Sequence, residues 1–324
     1  MIEAWKRSEL ERLTRSHGIR YSKSFGQNFI TDRNTLEKII SSADISSDDH
    51  IVEIGAGMGA LTLFLARTAG RVCAVEIDKR LIPILGEVTE GLPNAEILNE
   101  DFLKYDLPSA PYKLIGNLPY YITTPIIAKL FEPTPVIAST PAILSTPVIA
   151  STPVIASTPV ILSTPVIAST PVIASEAKQS SARPVPPVLA VLMMQKEVAQ
   201  RLLSPPGKKT YGAISVLVQY YSEAEYLFDV SREIFVPKPG VDSAVIRLKP
   251  RDLSGDDPAV AAKMFRLVRS GFDMRRKTIR NSFMRAGFPE KELITAIKAA
   301  GTDPGCRAET LSPRDFYNIA SFLL

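Results

Sequence analysis

Gly116-Asn117-Leu118-Pro119-Tyr120 follows a short apolar run, Tyr112 to Ile115, and precedes a helix-like segment, Thr124 to Phe131. It reads as the turn at the C-terminal end of a β-strand, the edge at which open α/β sheets bind ligands. An Asn-x-Pro-aromatic order suits a planar amino group. The Asn117 side-chain oxygen and the Pro119 backbone carbonyl can each accept a hydrogen bond from an exocyclic NH2, and the Tyr120 ring can stack on the ring that carries it. Asn and Pro are also common in ordinary strand-to-helix turns. What else reaches the same edge therefore matters.

His50-Ile51-Val52-Glu53-Ile54 is a buried-strand pattern. It runs into Gly55-Ala56-Gly57-Met58-Gly59, and a helix follows at Ala60 to Thr68. Strand, glycine turn and helix are the context a nucleotide fingerprint requires. The first glycines let the backbone pass close to a ligand, and the last lets helix and strand pack. A second strand, Val72 to Ile77, ends at Glu76-Ile77-Asp78. Glu76 lies 21 residues after Gly55, where a carboxylate grips ribose hydroxyls. A dinucleotide would call for G-x-G-x-x-G. The G-x-G-x-G spacing preceded by Glu53 favours S-adenosylmethionine. A third strand, Ala95 to Leu98, ends at Glu100-Asp101-Phe102, where an acid beside an aromatic can bond an adenine amino group and cover its face. Phe235, held by prolines in Phe235-Val236-Pro237-Lys238-Pro239, can stack on a base.

The elements that position these groups follow in order. Residues 3–16 form a short basic helix, and Thr31 or Asp32 caps a helix with the apolar stripe Leu36, Ile39 and Ile40. A fifth strand is expected at Val188 to Met194, a helix at Gln195 to Leu203, another at Tyr211 to Gln219, and strands at Tyr220 to Val230 and Ala244 to Lys249. Residues 257–324 read as short amphipathic helices, with Phe265, Leu267, Val268 and Phe272 on one face and Arg266, Arg269, Arg275, Arg276, Lys277 and Arg280 on the other. Residues 134–175 are seven copies of a hexapeptide, Thr-Pro-Val-Ile-Ala-Ser with small variations. A proline every sixth residue removes ladder donors and forbids a helix, so the array reads as a tandem duplication forming an extended or disordered loop. It joins the helix after strand four to strand five, at the sheet edge opposite the ligand edge, where a long insertion costs little closure entropy.

Charge divides the chain unevenly. Residues 1–23 carry six basic and three acidic groups, 24–133 carry nine and fifteen, and 247–324 carry fifteen and nine. Within 263–285 eight basic residues face only Asp273. An acidic domain flanked by basic ends points to a polyanionic partner. Two cysteines, Cys73 and Cys306, exclude a disulfide framework and a zinc cluster and fit a reducing cytoplasm. Met1 to Arg20 has no apolar core, so no signal peptide is expected, and no apolar run is long enough to span a bilayer. The expected organisation is a basic N-terminal helix at 1–23, a catalytic domain at 24–250 interrupted by the low-complexity insertion 134–186, and a helical RNA-binding domain at 251–324.

Eight segments in order carry a resemblance: Phe25 to Phe29, Glu53 to Gly59, Glu76 to Asp78, Asn117 to Tyr120, Gln195 to Ala199, Phe235 to Ser243, Arg275 to Lys277 and Arg307 to Leu311. Together they resemble the ribosomal RNA adenine dimethyltransferases, and within them the bacterial enzymes that dimethylate two adjacent adenosines near the 3′ end of 16S rRNA. The resemblance covers essentially everything outside about 134–186. It implies an α/β fold, a Rossmann-like class I S-adenosylmethionine-dependent methyltransferase sheet with a small C-terminal all-helical domain. It implies cofactor contacts from Asn28, Ile30, Gly55, Glu76, Asp101 and Asn117, joined by Gly57 of the glycine turn. It also implies a base clamp of Asn117, Pro119, Tyr120 and Phe235. Arg275, Arg276, Lys277 and Arg280 would meet RNA. The partner would be 16S rRNA in a pre-30S subunit during ribosome biogenesis, approached by a cytoplasmic monomer without membrane or metal. Other readings are a DNA-adenine or protein-glutamine methyltransferase and a ribosome-assembly factor without catalysis. A dehydrogenase is disfavoured by the glycine spacing.

Overall fold

The computed structural model describes residues 2–22, 26–119, 122–131 and 185–323. The hexapeptide array and Tyr120 lie outside the described residues. Helix α1 (Arg7–Ser16) leads to a two-residue strand, β1 (Phe29–Ile30), and to α2 (Arg33–Ser42). Then follow β2 (His50–Ile54), α3 (Ala60–Ala66), β3 (Arg71–Glu76), α4 (Ile82–Val88), β4 (Ala95–Asn99), β5 (Lys113–Asn117) and α5 (Thr123–Phe131). After the array come β6 (Leu189–Gln195), α6 (Lys196–Leu202), α7 (Ala213–Tyr221), β7 (Ser222–Val230), β8 (Phe235–Val236) and β9 (Ser243–Pro250). The chain closes with α8 (Pro258–Asp273), α9 (Ile279–Phe283), α10 (Glu290–Ala299) and α11 (Pro313–Ser321).

The central sheet has the order β4-β3-β2-β5-β6-β9-β7. Strands β2 to β6 pair in parallel, and β9 runs antiparallel to both β6 and β7. The near-continuous apolar runs of β2, β3, β5 and β6 fit strands covered on both faces. The order reverses at β2, with β3 and β4 on one side and β5 and β6 on the other. A crevice therefore opens beyond the ends of β2 and β5, where Ile54 pairs with Gly116. A Cβ on Gly116 would lie 2.8 Å from the Ile54 carbonyl oxygen, so this close approach of β5 to β2 needs glycine.

Asp32 is the cap of α2, and its side chain accepts from the Thr35 N–H at 2.8 Å. The N-terminal helix is shorter than the expected 3–16. Trp5 precedes it and packs edge-on against Phe64, with ring centroids 5.0 Å apart. Tyr220 and Tyr221, read from sequence as the start of a strand, instead end α7. Aromatic residues favour strands only as far as their surroundings pack them. Here the Tyr221 ring stacks on Phe131 at 5.1 Å and on Phe265 at 5.7 Å, which holds it in the helix. These contacts run one hydrophobic core from the sheet's covering helices into α8–α11. No helix among the described residues is long and apolar enough to cross a membrane.

The chain re-enters the described structure beside the start of β5. Val185 N–H donates to the Pro108 carbonyl at 3.2 Å and Val188 N–H to the Tyr112 carbonyl at 2.8 Å. That is the sheet edge opposite Asn117. Excision of 134–175 is expected to leave the methyl transfer that the resemblance implies at the wild-type rate in a labelled-cofactor assay. A deletion protein that folds but does not transfer would overturn this.

Candidate cofactor and base site

One cavity at the switch point collects Asn28, Ile30, Gly55, Gly57, Glu76, Asn117 and Pro119. Gly55, Gly57 and Gly59 all have positive φ, at +68°, +61° and +84°. A Cβ on Gly57 would stand 3.0 Å from the Phe29 ring, so the first two glycines form a close-fitting floor. A Cβ on Gly59 would lie 2.9 Å from Leu85. The third glycine thus packs the turn against α4, rather than helix against strand as its spacing suggests.

The end of β3 anchors two loops with two acids. Glu76 Oε2 accepts from Gly57 N–H and Oε1 from Asp78 N–H, each at 2.8 Å. Burial pushes the Glu76 carboxyl up, and the backbone N–H groups oppose that rise. Asp78 accepts from Gln27 Nε2 at 2.7 Å and is gripped by Arg80 through two nitrogens. The Arg80 guanidinium is the largest cause holding Asp78 below its ordinary value. Gln27 in turn accepts from Ser22 N–H at 2.8 Å. Gln27, Asp78 and Arg80 thereby fix the 26–28 segment over the cavity. Sequence reading placed Gln27 and Asp78 in motifs but gave them no task. Ile77, 44% exposed at the cavity rim, was also missed.

Asn117 Nδ2 donates to the Asn28 backbone carbonyl at 3.0 Å. That bond aims the amide and leaves Oδ1 as an acceptor in the cavity wall. The Asn28 side chain itself turns back to the Gly26 carbonyl at 2.9 Å. The Pro119 carbonyl accepts from Ile122 N–H and from the Thr123 hydroxyl, each at 3.2 Å, so it is committed to the turn into α5. Leu118 N–H donates to Met193. No hydrogen bond to the Leu118 carbonyl occurs among the described residues.

Two of the expected site residues do not line the cavity. Phe235 pairs with Ile30 in the β1–β8 ribbon, is 3% exposed, and belongs to the hydrophobic core. Asp101 lies at the end of β4, and its Oδ1 accepts from Leu103 N–H at 2.9 Å. Its neighbour Phe102 is buried and stacks on Tyr105 rather than facing the cavity. The two histidines are remote: His17 meets Glu87 on α4, and His50 starts β2 at the opposite edge. Among the described residues no His, Cys, Asp and Glu cluster could hold a metal.

The basic quartet divides. Arg275 is locked by the Lys209 and Tyr211 carbonyls and by Glu309, at 2.9–3.1 Å. Arg280 reaches Glu290 at 3.4 Å in an exposed pair, an interaction of little energetic weight. Arg276 and Lys277 are exposed.

The cavity suits a cofactor that pairs adenosine with a positive charge. Glu76 stands at the end of β3 in its wall, the glycine turn admits close approach, and among the described residues Glu53 and Glu76 are the titrating side chains of its lining. The family model for ribosomal RNA adenine dimethylases matches residues 18–324. Ribosomal RNA small subunit methyltransferase A of Streptococcus pneumoniae (strain 70585) is 36% identical, over 95% of this chain and 93% of that protein. A crystal structure of a dimethyladenosine transferase from Plasmodium falciparum superposes with a TM-score of 0.67 at 25% identity, covering 90% of this chain and 95% of that one. The 23S rRNA methyltransferase ErmE gives 0.62 at 25% identity, over 91% and 99%. With the glycine turn, Glu76 and Asn117 gathered on one sheet edge, these likenesses establish that the chain belongs to the ribosomal RNA adenine dimethylases, whose methyl donor is S-adenosylmethionine.

Proposed function

We propose that the protein dimethylates the N6 amino groups of two adjacent adenosines near the 3′ end of 16S rRNA, in an assembling small ribosomal subunit. It would act as a cytoplasmic monomer and without a metal. The observation that carries this reading is the bond from Asn117 Nδ2 to the Asn28 carbonyl, which presents Oδ1 to an incoming amine. The relative at 36% identity is named for the small subunit, and ErmE, at 25%, for 23S rRNA.

An adenosine in a stack cannot reach such a wall, so the base must be flipped out. Tyr120 would stack on it, worth about 1–3 kcal/mol. Phe235, buried and paired with Ile30, would support that face through the β1–β8 ribbon instead of touching the base. Bound S-adenosylmethionine supplies a methyl group on a cationic sulfur. Asn28, Ile30, Gly55, Gly57 and Glu76 would hold it, with Asp101 toward the adenine end. Asn117 Oδ1 accepts one amine hydrogen. The Leu118 carbonyl takes the second, since the Pro119 carbonyl serves the turn. Two acceptors out of the ring plane favour a pyramidal nitrogen and free its lone pair as the transition state forms. In-line positioning supplies much of the rate. The nitrogen becomes cationic and then sheds a proton to solvent, so no histidine base is needed.

The test is transfer from labelled S-adenosylmethionine to small subunits that lack the modification, read by nucleoside mass spectrometry. N6,N6-dimethyladenosine in 16S rRNA is expected. Large subunits offered in parallel supply the control: labelling of their 23S rRNA with none in the small subunits would overturn the choice of substrate. Arg276→Ala with Lys277→Ala should weaken RNA binding and lower the slope of log affinity against log salt by about two, with cofactor affinity unchanged. An unchanged slope would move the RNA footprint elsewhere.

A further inference from the structure

The cavity is electrostatically one-sided. Glu53 and Glu76 line it, and among the described residues no Lys, Arg or His joins them. Glu53 is 1% exposed at the end of β2. The Thr62 hydroxyl on α3 donates to its Oε2 at 2.6 Å. Its ladder partners are apolar, Ala74 on β3 and Ile115 on β5. The charged group facing it is Glu76, of like sign. Glu76 is held by backbone N–H groups that favour its ionised form. Of the two acids, Glu53 is therefore the one left to carry a proton. Burial pushes its carboxyl up to about 8.

We propose that Glu53 makes the cavity select the cationic methyl donor over its neutral demethylated product by exchanging a proton with solvent. The sulfonium's entry converts the Glu53 carboxylic acid to carboxylate, and the proton leaves to water. Transfer of the methyl group turns the sulfur into a neutral thioether and leaves the carboxylate uncompensated. Glu53 then regains a proton from solvent, and the product is held less tightly than the donor was. No bond to Glu53 forms or breaks except O–H. The ammonium and carboxylate are carried by donor and product alike, and the separately measured titration of each free ligand is subtracted from its proton count. The inference rests on the reading that this cavity holds the cofactor.

Isothermal titration of the whole protein with S-adenosylmethionine and with S-adenosylhomocysteine, in buffers of different ionisation enthalpy, counts the protons. At pH 7 the donor should release about 0.9 proton more than the product, the protonated share of a group that titrates at about 8. The donor-to-product affinity ratio should rise about tenfold from pH 7 to pH 9 and then level. In Glu53→Gln both the excess proton and the pH dependence of the ratio should vanish. Equal proton counts for the two ligands in the wild type would overturn the proposal, and that measurement needs no variant to fold. Glu76→Gln separates the underlying reading: it should weaken both ligands. If it weakens neither, the cavity is not the cofactor site and the proposal falls with it.

Discussion

Asn117→Ala is expected to cut methyl transfer by about 10²–10³-fold while the protein stays folded, the scale seen when one preorganised transition-state hydrogen bond is removed. The rate effect is large because Oδ1 is not free to rotate. The Asn117 Nδ2 bond to the Asn28 carbonyl, 3.0 Å long, spends the donor end of the amide on orientation and leaves the acceptor end for the amine. The stability effect is small, because Asn117 is only half-buried and loses one hydrogen bond worth about 1 kcal/mol. Single-turnover transfer and a melting curve separate the two. Asn117→Asp refines the reading. It keeps an acceptor but cannot donate to Asn28, so its rate should fall between wild type and Asn117→Ala. An alanine variant that transfers within tenfold of wild type would remove Asn117 from the reaction.

How much of this was legible depends on how local the cause is. The glycine turn was readable because positive φ at Gly55, Gly57 and Gly59 is a backbone demand that leaves glycine as its trace. Glu76 was readable because strand length fixes how far downstream the acid must stand. The Gln27–Asp78–Arg80 tether was not, because it joins a loop to a strand end across 51 residues, and a polar pair at that distance has no periodicity. Phe235 between prolines looks the same whether its ring faces a ligand or the core. Only its pairing with Ile30 decides, and that buries it. Arg275 is another such case. In sequence it is one cation in a run, yet two carbonyls and Glu309 hold its guanidinium against the fold, while Arg276 next to it is exposed. That the Pro119 carbonyl is taken up by Ile122 and Thr123 is likewise a matter of backbone geometry that the sequence does not carry.

Glu53→Gln should stabilise the cofactor-free protein at neutral pH, by about 3 kcal/mol at pH 7, and flatten part of its stability profile. The Glu53 carboxyl is moved from its ordinary 4.5 up to about 8 by burial, with Glu76 adding to the rise and the Thr62 hydroxyl opposing it. Below pH 4.5 the acid is protonated in both folded and unfolded chains and contributes no pH dependence. Between 4.5 and 8 the unfolded chain gives up this proton and the folded chain keeps it, so folding stability falls as pH rises through that window. Gln has nearly the same shape, carries no charge, and still offers Thr62 an oxygen. Glu76, whose carboxyl is also raised, remains in the variant and leaves a residual slope of the same sign. The quantity to measure is therefore the difference between variant and wild type in urea unfolding, small near pH 4.5 and growing toward pH 8. Saturating S-adenosylmethionine should shrink that difference at pH 7, because the bound cation gives the Glu53 carboxylate a partner that Gln cannot use. A difference that stays constant across the window would mean that Glu53 is ionised in the folded chain already, and the cavity would then have to distinguish donor from product by shape alone.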